Sequence, residues 1–321
     1  MNKSYISILA FIIAILSSFT LYGQENDKYN ANLIKKIYSM GTASVDGTYY
    51  PLGNAISRLF GKKIKKLVVI PEPTAGSLAN IDFMRKKRID LSLIQSDVAW
   101  KAYHNYNFKD LRVLASLYSE KIQIVVRADS DIKRIEDLKG KKIAVGEKYS
   151  GSAVGATQIL EACGLKSNID YETVNDRFTK SIEALYDGYI DAIYYIGGVP
   201  TNGLSRLANR IPIRLIEIPL PIVTKLVSSC KYFSTESIEA NSYKGQNETI
   251  NTLGVRALLC CTNQLPQDEA FNMLTVIYNY PISFSEENNN DVLIELKKDN
   301  ALKCIDKSML HEGAIRFFTP Q

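Results

Sequence analysis

Residues 40–53 read Met40-Gly41-Thr42-Ala43-Ser44-Val45-Asp46-Gly47-Thr48-Tyr49-Tyr50-Pro51-Leu52-Gly53. This run of small and hydroxyl-bearing residues follows an apolar strand predicted at 37–40 and precedes an amphipathic helix predicted at about 52–60. A loop between a strand and a helix exposes unpaired backbone N–H groups at the positive end of the helix dipole, and such a place suits an anion. The other interpretation is an ordinary glycine-rich turn. A binding loop is favoured because the same design occurs twice more downstream.

The N-terminus has the pattern of a secretory signal. Lys3 is followed by an uncharged stretch as far as Gln24, and the most apolar part of this stretch is at 6–16. We predict a signal peptide at 1–23 and export to the periplasm. An uncleaved single-span anchor is the alternative. No cysteine follows the apolar segment, which argues against a lipoprotein.

Composition and charge exclude several classes of partner. The chain of 321 residues is 46% hydrophobic and 23% charged, which is ordinary for a globular protein. Its net charge of +5 falls to +4 without 1–23, because Lys3 is the one charged residue there. The basic runs at 62–66 and 85–88 have no interleaved aromatic residues and are typical of helix ends or solvated faces. We therefore expect no nucleic-acid partner.

Metals and cofactors are not indicated either. An exported chain cannot pair all of its five cysteines internally, and no CxxC spacing is present. Cys260 and Cys261 lie in an apolar run that favours buried free thiols, although one disulfide elsewhere stays open. The chain has only two histidines, His104 and His311, which makes a zinc site improbable. We predict no metal and no cofactor.

A weak internal duplication organises the chain. In the first copy, a strand, the loop of 41–50, a helix and a second strand at 67–70 lead to a buried strand that follows Asp90. In the second, a strand at 142–146 leads through a loop and a helix to another buried strand that follows Asp191. Each of these aspartates is preceded by isoleucine and followed by an apolar run. The two residues are therefore predicted to occupy equivalent places.

Continuous apolar strands that alternate with amphipathic helices indicate an α/β fold with parallel sheets covered on both faces. Two similar units predict two lobes. Apolar strands at 121–127 and 254–261 are expected to serve as crossover segments between them. Lobe 1 then comprises 24–127 plus 255–321, and lobe 2 comprises 128–254. No low-complexity linker separates the lobes, which fits a hinge.

Three predicted helix starts form the candidate site. In an open α/β sheet, ligands gather at the carboxyl ends of the strands, which is where all three loops fall. Backbone and hydroxyl donors from two lobes would there hold an anionic group such as a carboxylate, while each loop alone is only a capped helix. The candidate ligand-binding residues of the three loops are Gly41, Thr42, Ser44, Thr48, Tyr49 and Tyr50, then Thr74, Gly76 and Ser77, then Ser150, Gly151 and Ser152.

The ends of the two duplicated strands add three more candidates. Gln95 ends the first strand and is placed to face the cleft with its amide; the alternative is that it merely precedes a helix capped by Ser96 or Asp97. Gly197 and Gly198 end the matching strand of lobe 2, where glycine lets the backbone approach a ligand closely.

Two further features have competing interpretations. Tyr49 and Tyr50 are candidates for walls of the ligand site, whereas an aromatic residue at a helix start more often packs into the core. Arg127 lies on the first crossover strand, where it would pair with a ligand carboxylate or, more simply, form a surface salt bridge.

The sequence offers little to a catalytic hypothesis. No G-x-S-x-G, GxxxxGK[ST] or HExxH motif occurs. His104 is far from any serine or cysteine with the context of a nucleophile, and Ser152 has no base placed by the sequence. We predict no catalytic residue.

These residues resemble the TAXI family of solute receptors, the extracytoplasmic subunits of a subclass of tripartite ATP-independent periplasmic (TRAP) transporters. The family pattern is close to G-T-[GA]-[GS]-x-G-G-x-Y-Y-P-x-G, which residues 41–53 match except that Asp46 replaces a glycine. The family's T-G-G-S turn corresponds to 74–77, with Ala75 in place of a glycine, and its Q-S-D corresponds to 95–97. Further similar segments occur at 115–118, 137–142, 150–152 and 243–246, in order along the chain.

The resemblance implies a type 2 periplasmic-binding-protein fold, with two α/β lobes joined by a two-strand hinge that close on a ligand. It also implies delivery of the ligand to small and large TRAP permease subunits in the membrane, driven by an ion gradient. The expected ligand is a small organic acid or an acidic amino acid. Asp46 adds a negative charge to the expected anion site. A surface antigen or adhesin, or an enzyme on the same fold, are the alternatives.

Overall fold

The computed structural model describes residues 35–45, 47–280 and 296–319. The predicted signal peptide at 1–23, Asp46 and a predicted polar surface loop at 286–291 lie outside the described residues. Within the described ranges, no helix has the length and hydrophobicity needed to cross a bilayer.

The described part of the chain contains ten strands. They are β1 Lys36–Gly41, β2 Leu67–Glu72, β3 Leu91–Gln95, β4 Leu111–Arg127, β5 Lys142–Ala144, β6 Glu172–Val174, β7 Ala192–Gly197, β8 Ile213–Ile216, β9 Ser234–Ile238 and β10 Ile250–Thr262.

The helices lie between and after these strands. They are α1 Tyr49–Lys63, α2 Ser77–Arg85, α3 Ser96–His104, α4 Gly151–Ala162, α5 Phe178–Tyr186, α6 Asn202–Arg210, α7 Leu220–Ser229, α8 Gln267–Asn279 and α9 Glu312–Phe318. Short 3-10 turns occur at Ile135–Leu138, Lys298–Asn300 and Lys307–Met309.

One sheet runs through both lobes, in the order β2-β1-β3-β10-β4-β7-β5-β6, with β8 paired to β4 and β9 paired to β10. The outer strands are parallel within each lobe, as β1 is with β2 and β3, and as β5 is with β6 and β7. Two long antiparallel strands, β4 and β10, occupy the centre. The predicted α/β fold with two lobes joined by two strands is therefore confirmed, while the residue boundaries of the lobes stay a prediction.

The central strand β4 is longer than predicted. The sequence indicated a crossover strand at 121–127, but the strand begins at Leu111 and spans 17 residues. Its first part pairs with β10, and its second part pairs with β7 and β8 of lobe 2. The prediction was wrong because a polar pair, Glu120 and Lys121, interrupts the apolar run. Pairing on both sides keeps the strand continuous across this interruption.

The internal duplication is visible in backbone geometry. The Oδ2 atom of Asp90 accepts a hydrogen bond of 2.8 Å from the Ser39 amide of β1. In lobe 2, Oδ2 of Asp191 accepts one of 2.7 Å from the Lys142 amide of β5. Each aspartate amide also donates to the carbonyl of the same partner residue. Both aspartates thus tie the start of a buried strand to its parallel neighbour, as their equivalent sequence contexts predicted.

Candidate functional site

A cleft opens between the lobes where β1, β2, β3 and β5 end and the loops that follow them begin. Its empty volume is about 670 Å³, part of it open to solvent. Loops from both lobes and the middle of β4 line it. The carboxyl ends of strands are the edge at which open α/β sheets place their ligands, so this cleft is the candidate functional site.

The wall contributed by lobe 1 consists of residues 43–44 and 47–49. Hydrogen bonds from the protein interior hold this wall in place. The carbonyl oxygen of Thr42 accepts a hydrogen bond of 2.9 Å from Oγ1 of Thr74 and one of 2.7 Å from Nδ2 of the fully buried Asn80. Oγ1 of Thr42 donates to the Glu72 carbonyl at 2.7 Å. Thr42 and Thr74 therefore shape the loop from the protein interior and do not line the cavity.

The start of α2 is occupied by the other lobe. Its backbone amides at Leu78 and Ala79 donate to the carbonyl oxygen of Tyr149, at 3.1 and 3.2 Å. Helix starts were expected to offer unpaired amides to an anion, but a carbonyl from lobe 2 already satisfies these two. Ser77 still lines the cavity; its Oγ accepts a hydrogen bond of 3.1 Å from the Gln95 amide.

The wall contributed by lobe 2 is the start of α4. Ser150 caps this helix, because its Oγ accepts from the Ala153 amide at 3.1 Å. The Oγ atom of Ser152 accepts a hydrogen bond of 3.0 Å from the Ile196 amide and so fixes the helix start to β7. Gly151 is packed against the lobe 1 residue Gln95, so tightly that a Cβ atom built on Gly151 would lie 1.9 Å from its Oε1. This is a contact between the two lobes across the site.

Glu120, on β4, lies deep in the cleft. Its side chain is only 2% exposed. Oε2 accepts a hydrogen bond of 2.6 Å from the hydroxyl of Tyr49, and Oε1 accepts a weaker one of 3.5 Å from the hydroxyl of Tyr118. Burial raises the pKa of the Glu120 carboxyl to about 8, against the opposing effect of the Tyr49 hydroxyl. A carboxyl this costly to ionise, placed on a cavity wall, is a strong indicator of function.

The charge of the lining is one-sided. Among the described residues that line the cavity, the ionisable carboxyls are Glu120 and the half-buried Glu147, and none is lysine, arginine or histidine. Aromatic side chains cover much of the remainder; the rings of Phe178 and Tyr195 stack with centroids 4.1 Å apart. Arg127, the cation considered from the sequence, instead forms a surface ion pair of 2.9 Å with Asp129.

Two buried polar atoms in the lining have no hydrogen-bond partner among the described residues. They are Oε1 of Gln95 and the hydroxyl of Tyr194, whose residues are 4% and 1% exposed. Leaving such an atom unsatisfied costs about 1–3 kcal/mol. A bound solute is a natural partner for both.

Nine of the fifteen residues predicted from the sequence line the cavity. They are Ser44, Thr48, Tyr49, Gly76, Ser77, Gln95, Ser150, Gly151 and Ser152. The six that do not are Gly41, Thr42, Tyr50, Thr74, Gly197 and Gly198.

Gly197, the last residue of β7, and Gly198, which follows it, have a structural role. A Cβ atom on Gly197 would lie 2.5 Å from the ring of Tyr195, so a side chain there would displace this ring. The carbonyl of Gly198 accepts from Oγ1 of Thr201, and both glycine carbonyls lie 3.4 Å from Nε2 of Gln123. Their backbone therefore anchors the end of β7 and does not face the cavity.

Sequence reasoning missed several lining residues, of which Glu120 matters most. The others are Ala43, Gly47, Ala75, Gly146, Glu147, Phe178, Ser181, Ile193, Tyr194, Tyr195 and Ile196. One signal for Glu120 was available, since a single acidic residue between two long apolar runs is unusual on a central strand. No comparable signal marks the residues of β7, which appear in the sequence as ordinary buried strand.

Cysteines and histidines lie away from the cleft. All five cysteines are free thiols, and burial raises the pKa of Cys260 and Cys261. His104 pairs with Asp306 at 3.1 Å, and the buried His311 hydrogen-bonds the Leu265 carbonyl. No cluster suited to a metal ion occurs among the described residues.

Comparison with known proteins agrees with the architecture. A model of the NMT1-like family matches residues 40–321. PhnD1 from Prochlorococcus marinus, solved with methylphosphonate, is 14% identical, with a TM-score of 0.56 over 85% of this chain and 94% of that one. A binding protein component of an ABC phosphonate transporter from Pseudomonas aeruginosa is 14% identical, with a TM-score of 0.53 over 82% of this chain and 80% of that one. At this identity the similarity is one of fold.

Proposed function

The chain belongs to the NMT1-like family, and we propose that it is an exported receptor that binds a small solute between its two lobes and delivers it to a permease in the membrane. The observation that carries the proposal is the cleft, which has an empty volume of about 670 Å³ and is lined by the helix starts of both lobes. Two solved proteins with a similar fold are a binding protein component of an ABC phosphonate transporter and PhnD1 in complex with methylphosphonate, which supports the same class. Residues 1–23 would direct export to the periplasm.

We propose further that the ligand carries a carboxylate, held at the start of α4. In the structure, the amides of Gly151 and Ser152 have no backbone or side-chain partner among the described residues, and both residues line the cavity. The positive end of the helix dipole would add to their attraction for an anionic group. Ser44, Thr48 and Ser77 supply hydroxyl groups from the facing lobe.

Two other functions were considered from the sequence. The open cavity gives no support to a surface antigen or adhesin that has lost its binding site. An enzyme would need an acid–base pair near Ser152, but Oγ of this residue accepts from a backbone amide. Neither histidine of the chain lines the cleft. The receptor is therefore the function that the geometry supports best.

Screening the mature protein by thermal shift is the direct test. A ligand of the cleft stabilises the folded protein and so raises its melting temperature. At a ligand concentration one hundred times the dissociation constant, the free energy of unfolding increases by about 2.7 kcal/mol. The screen should contain dicarboxylates, 2-oxoacids, amino acids, amines and neutral solutes. If no solute of any class raises the melting temperature, the receptor proposal fails; if only solutes without a carboxylate do so, the proposal of an acid ligand fails.

Filling the cleft should reduce the ligand-induced shift in melting temperature without unfolding the chain. Ser152 is 7% exposed and lines the cavity, so Ser152→Leu places a bulky side chain at the start of α4 and removes the hydroxyl that Ile196 contacts. We expect at least a tenfold loss of affinity, or about 1.4 kcal/mol. The matched control is Ser228→Leu, at an exposed position of α7. Equal ligand shifts in the two variants would place the ligand elsewhere.

The transporter class is a separate prediction. The sequence motifs resemble receptors of TRAP transporters, so we expect uptake of the ligand by the native cells to stop when the ion gradients are collapsed and to continue when ATP is depleted with the gradients maintained. The reverse result would assign the receptor to an ABC transporter.

A further inference from the structure

Glu120 lines the cleft as an acceptor, and none of the described residues lining the cleft with it is a cation. Both hydroxyls that contact it donate, from Tyr49 and Tyr118, and its carboxyl still lines the cavity. The contact of 2.6 Å with Tyr49 is a short O–H···O hydrogen bond. Each carboxyl oxygen accepts one hydrogen bond from a tyrosine, which leaves lone pairs for a further donor in the cavity.

Among the described groups that shift the pKa of Glu120, the cation is Arg256, and its effect is the smallest of those named. The titratable and charged groups that influence Glu120 are Tyr49 on α1, Asp97 on α3, Tyr118 on β4 and Arg256 on β10. Tyr195 on β7 and Glu147 in the loop before α4 line the same cavity. Asp97 raises the pKa of Glu120, and Arg256 lowers it. The Nε atom of Arg256 donates at 2.7 Å to Ser116. Burying a carboxylate without a close cation costs several kcal/mol, and a cationic ligand group would offset this cost.

Other lining groups suit the same ligand group. An ammonium group carries three donors. The unsatisfied Oε1 of Gln95 is an acceptor in the same cavity, and the Tyr194 oxygen is able to act as another. The rings of Tyr49, Tyr195 and Phe178 border the cavity, and aromatic faces attract cations.

We propose that Glu120 determines the specificity of the cleft by pairing with a protonated amine of the ligand. The inference rests on the proposed receptor function and narrows its ligand class to amine-bearing solutes. Combined with the carboxylate proposed at α4, it describes a zwitterion. The ammonium group bonds to Glu120 and Gln95, and the ligand's anionic end lies toward Gly151 and Ser152.

The test uses matched pairs of probes that differ only at this group. L-Alanine is compared with L-lactate, L-glutamate with L-2-hydroxyglutarate, and L-leucine with L-2-hydroxy-4-methylpentanoate, with putrescine as an amine that has no carboxylate. We expect at least one amine to bind, and its hydroxy partner to bind at least about 30-fold more weakly, as is typical when one partner of a buried charge pair is removed. Glu120→Gln should erase this preference.

A control variant separates the charge from the fold. Glu236 lies on β9, outside the cavity, where it accepts from Ser119 and Ser234 at 2.7 and 2.8 Å. Glu236→Gln makes the same chemical change on a strand outside the cavity, so we expect this variant to keep the preference for the amine.

The wild-type protein provides a second, independent readout. Because the pKa of Glu120 is about 8 without ligand, an amine that requires the ionised carboxylate should bind up to about tenfold more tightly for each pH unit gained between pH 6 and pH 8. Equal or tighter binding of the hydroxy acids, or affinity that falls over this range, would overturn the inference while leaving the receptor function intact. Failure of every amine to bind would also overturn it, and failure of all solutes in the wider screen would remove the receptor function as well.

Discussion

Replacing Glu120 by glutamine should make the ligand-free protein more stable at pH 9, and about equally or slightly less stable at pH 5. The reason is that the folded protein holds the carboxyl at 2% exposure, with a pKa raised from 4.5 to about 8, chiefly by burial. Such a difference corresponds to about 5 kcal/mol, at about 1.4 kcal/mol per pKa unit. Even half of this value would be a large fraction of the stability of a typical protein.

The direction follows from comparing the two states. Below about pH 4.5, Glu120 is protonated in both the folded and the unfolded chain, and it makes no pH-dependent contribution. Between this pH and about 8, the unfolded chain releases the proton while the folded chain keeps it, so stability falls as pH rises. Above about 8 the loss is complete. Glutamine does not titrate, so the Glu120→Gln variant does not lose stability over this pH range. The substitution weakens the hydrogen bond from Tyr49, which lowers the stability of the variant by about 1 kcal/mol.

The measurement is the free energy of unfolding of wild type and variant in urea at pH 5, 7 and 9. The difference between the two proteins should change by at least about 2 kcal/mol over this range, in favour of the variant at high pH. Effects of all other titrating groups cancel in the difference. Glu236→Gln, made in parallel, reports the effect of losing a carboxylate outside the cleft. A Glu120 difference that is constant with pH would show that the carboxyl is not held at a raised pKa.

The two Glu120 experiments belong together. If the glutamine variant is more stable at high pH and also loses its preference for amines, the residue costs stability and is retained for binding. This is the trade-off expected of a preorganised site. A stabilised variant with unchanged ligand preference would separate the burial of Glu120 from recognition.

Local patterns were sufficient to predict most of the architecture. The alternation of apolar strands with amphipathic helices gave the α/β fold, and the loops rich in glycine and hydroxyl residues gave the walls of the cleft. The equivalence of Asp90 and Asp191 was readable because each makes a local strand-to-strand hydrogen bond that the sequence repeats. These features depend on short-range spacing, which is the information that a sequence carries directly.

The parts that were missed depend on contacts distant in sequence. Glu120 was not recognised as a site residue because the strand was predicted to begin after it, and only pairing with β10 extends β4 back to Leu111. The sequence does not show that the amides of Leu78 and Ala79 at the start of α2 are satisfied, because their partner, Tyr149, comes from the other lobe. Gly197 resembled a ligand-binding glycine, whereas the ring of Tyr195 is what excludes a side chain there. Spacing along the chain does not reveal such partners.

Placing a single methyl group on Gly151 should weaken ligand binding without destabilising either lobe. Gly151 is the first residue of α4, and alanine is a better helix former than glycine. Its Cβ atom, however, would lie 1.9 Å from Oε1 and 2.4 Å from Cδ of Gln95 in the facing lobe. To avoid the methyl group, the Gln95 amide has to swing into the ligand cavity that it lines, or the lobes have to stay apart. Because the clash exists only when the lobes meet, Gly151→Ala penalises the closed arrangement selectively.

We expect Gly151→Ala to weaken binding by about tenfold or more, since a clash of this kind costs at least about 1–3 kcal/mol. The melting temperature without ligand should change little. Small-angle X-ray scattering should show a larger radius of gyration for the variant when ligand is present. Gly61→Ala is the matched control, because a Cβ atom on this helical glycine meets nothing within 4 Å. It should leave affinity unchanged.

Removing the Gln95 amide group, which the new methyl group would meet, should let the lobes of the Gly151→Ala variant close on the ligand again. In the double variant Gln95→Ala, Gly151→Ala, no amide group remains for the new methyl group to meet, so the penalty of Gly151→Ala should be smaller than in the wild-type background. Gln95→Ala alone also removes the unsatisfied Oε1 acceptor, and its own loss of affinity measures what that atom contributes to the ligand. A coupling energy of at least about 1 kcal/mol between the two positions is expected for residues in direct contact. Strict additivity would show that the lobes do not meet at these residues when the ligand is bound, and the contact between Gln95 and Gly151 would then have no part in closing the site.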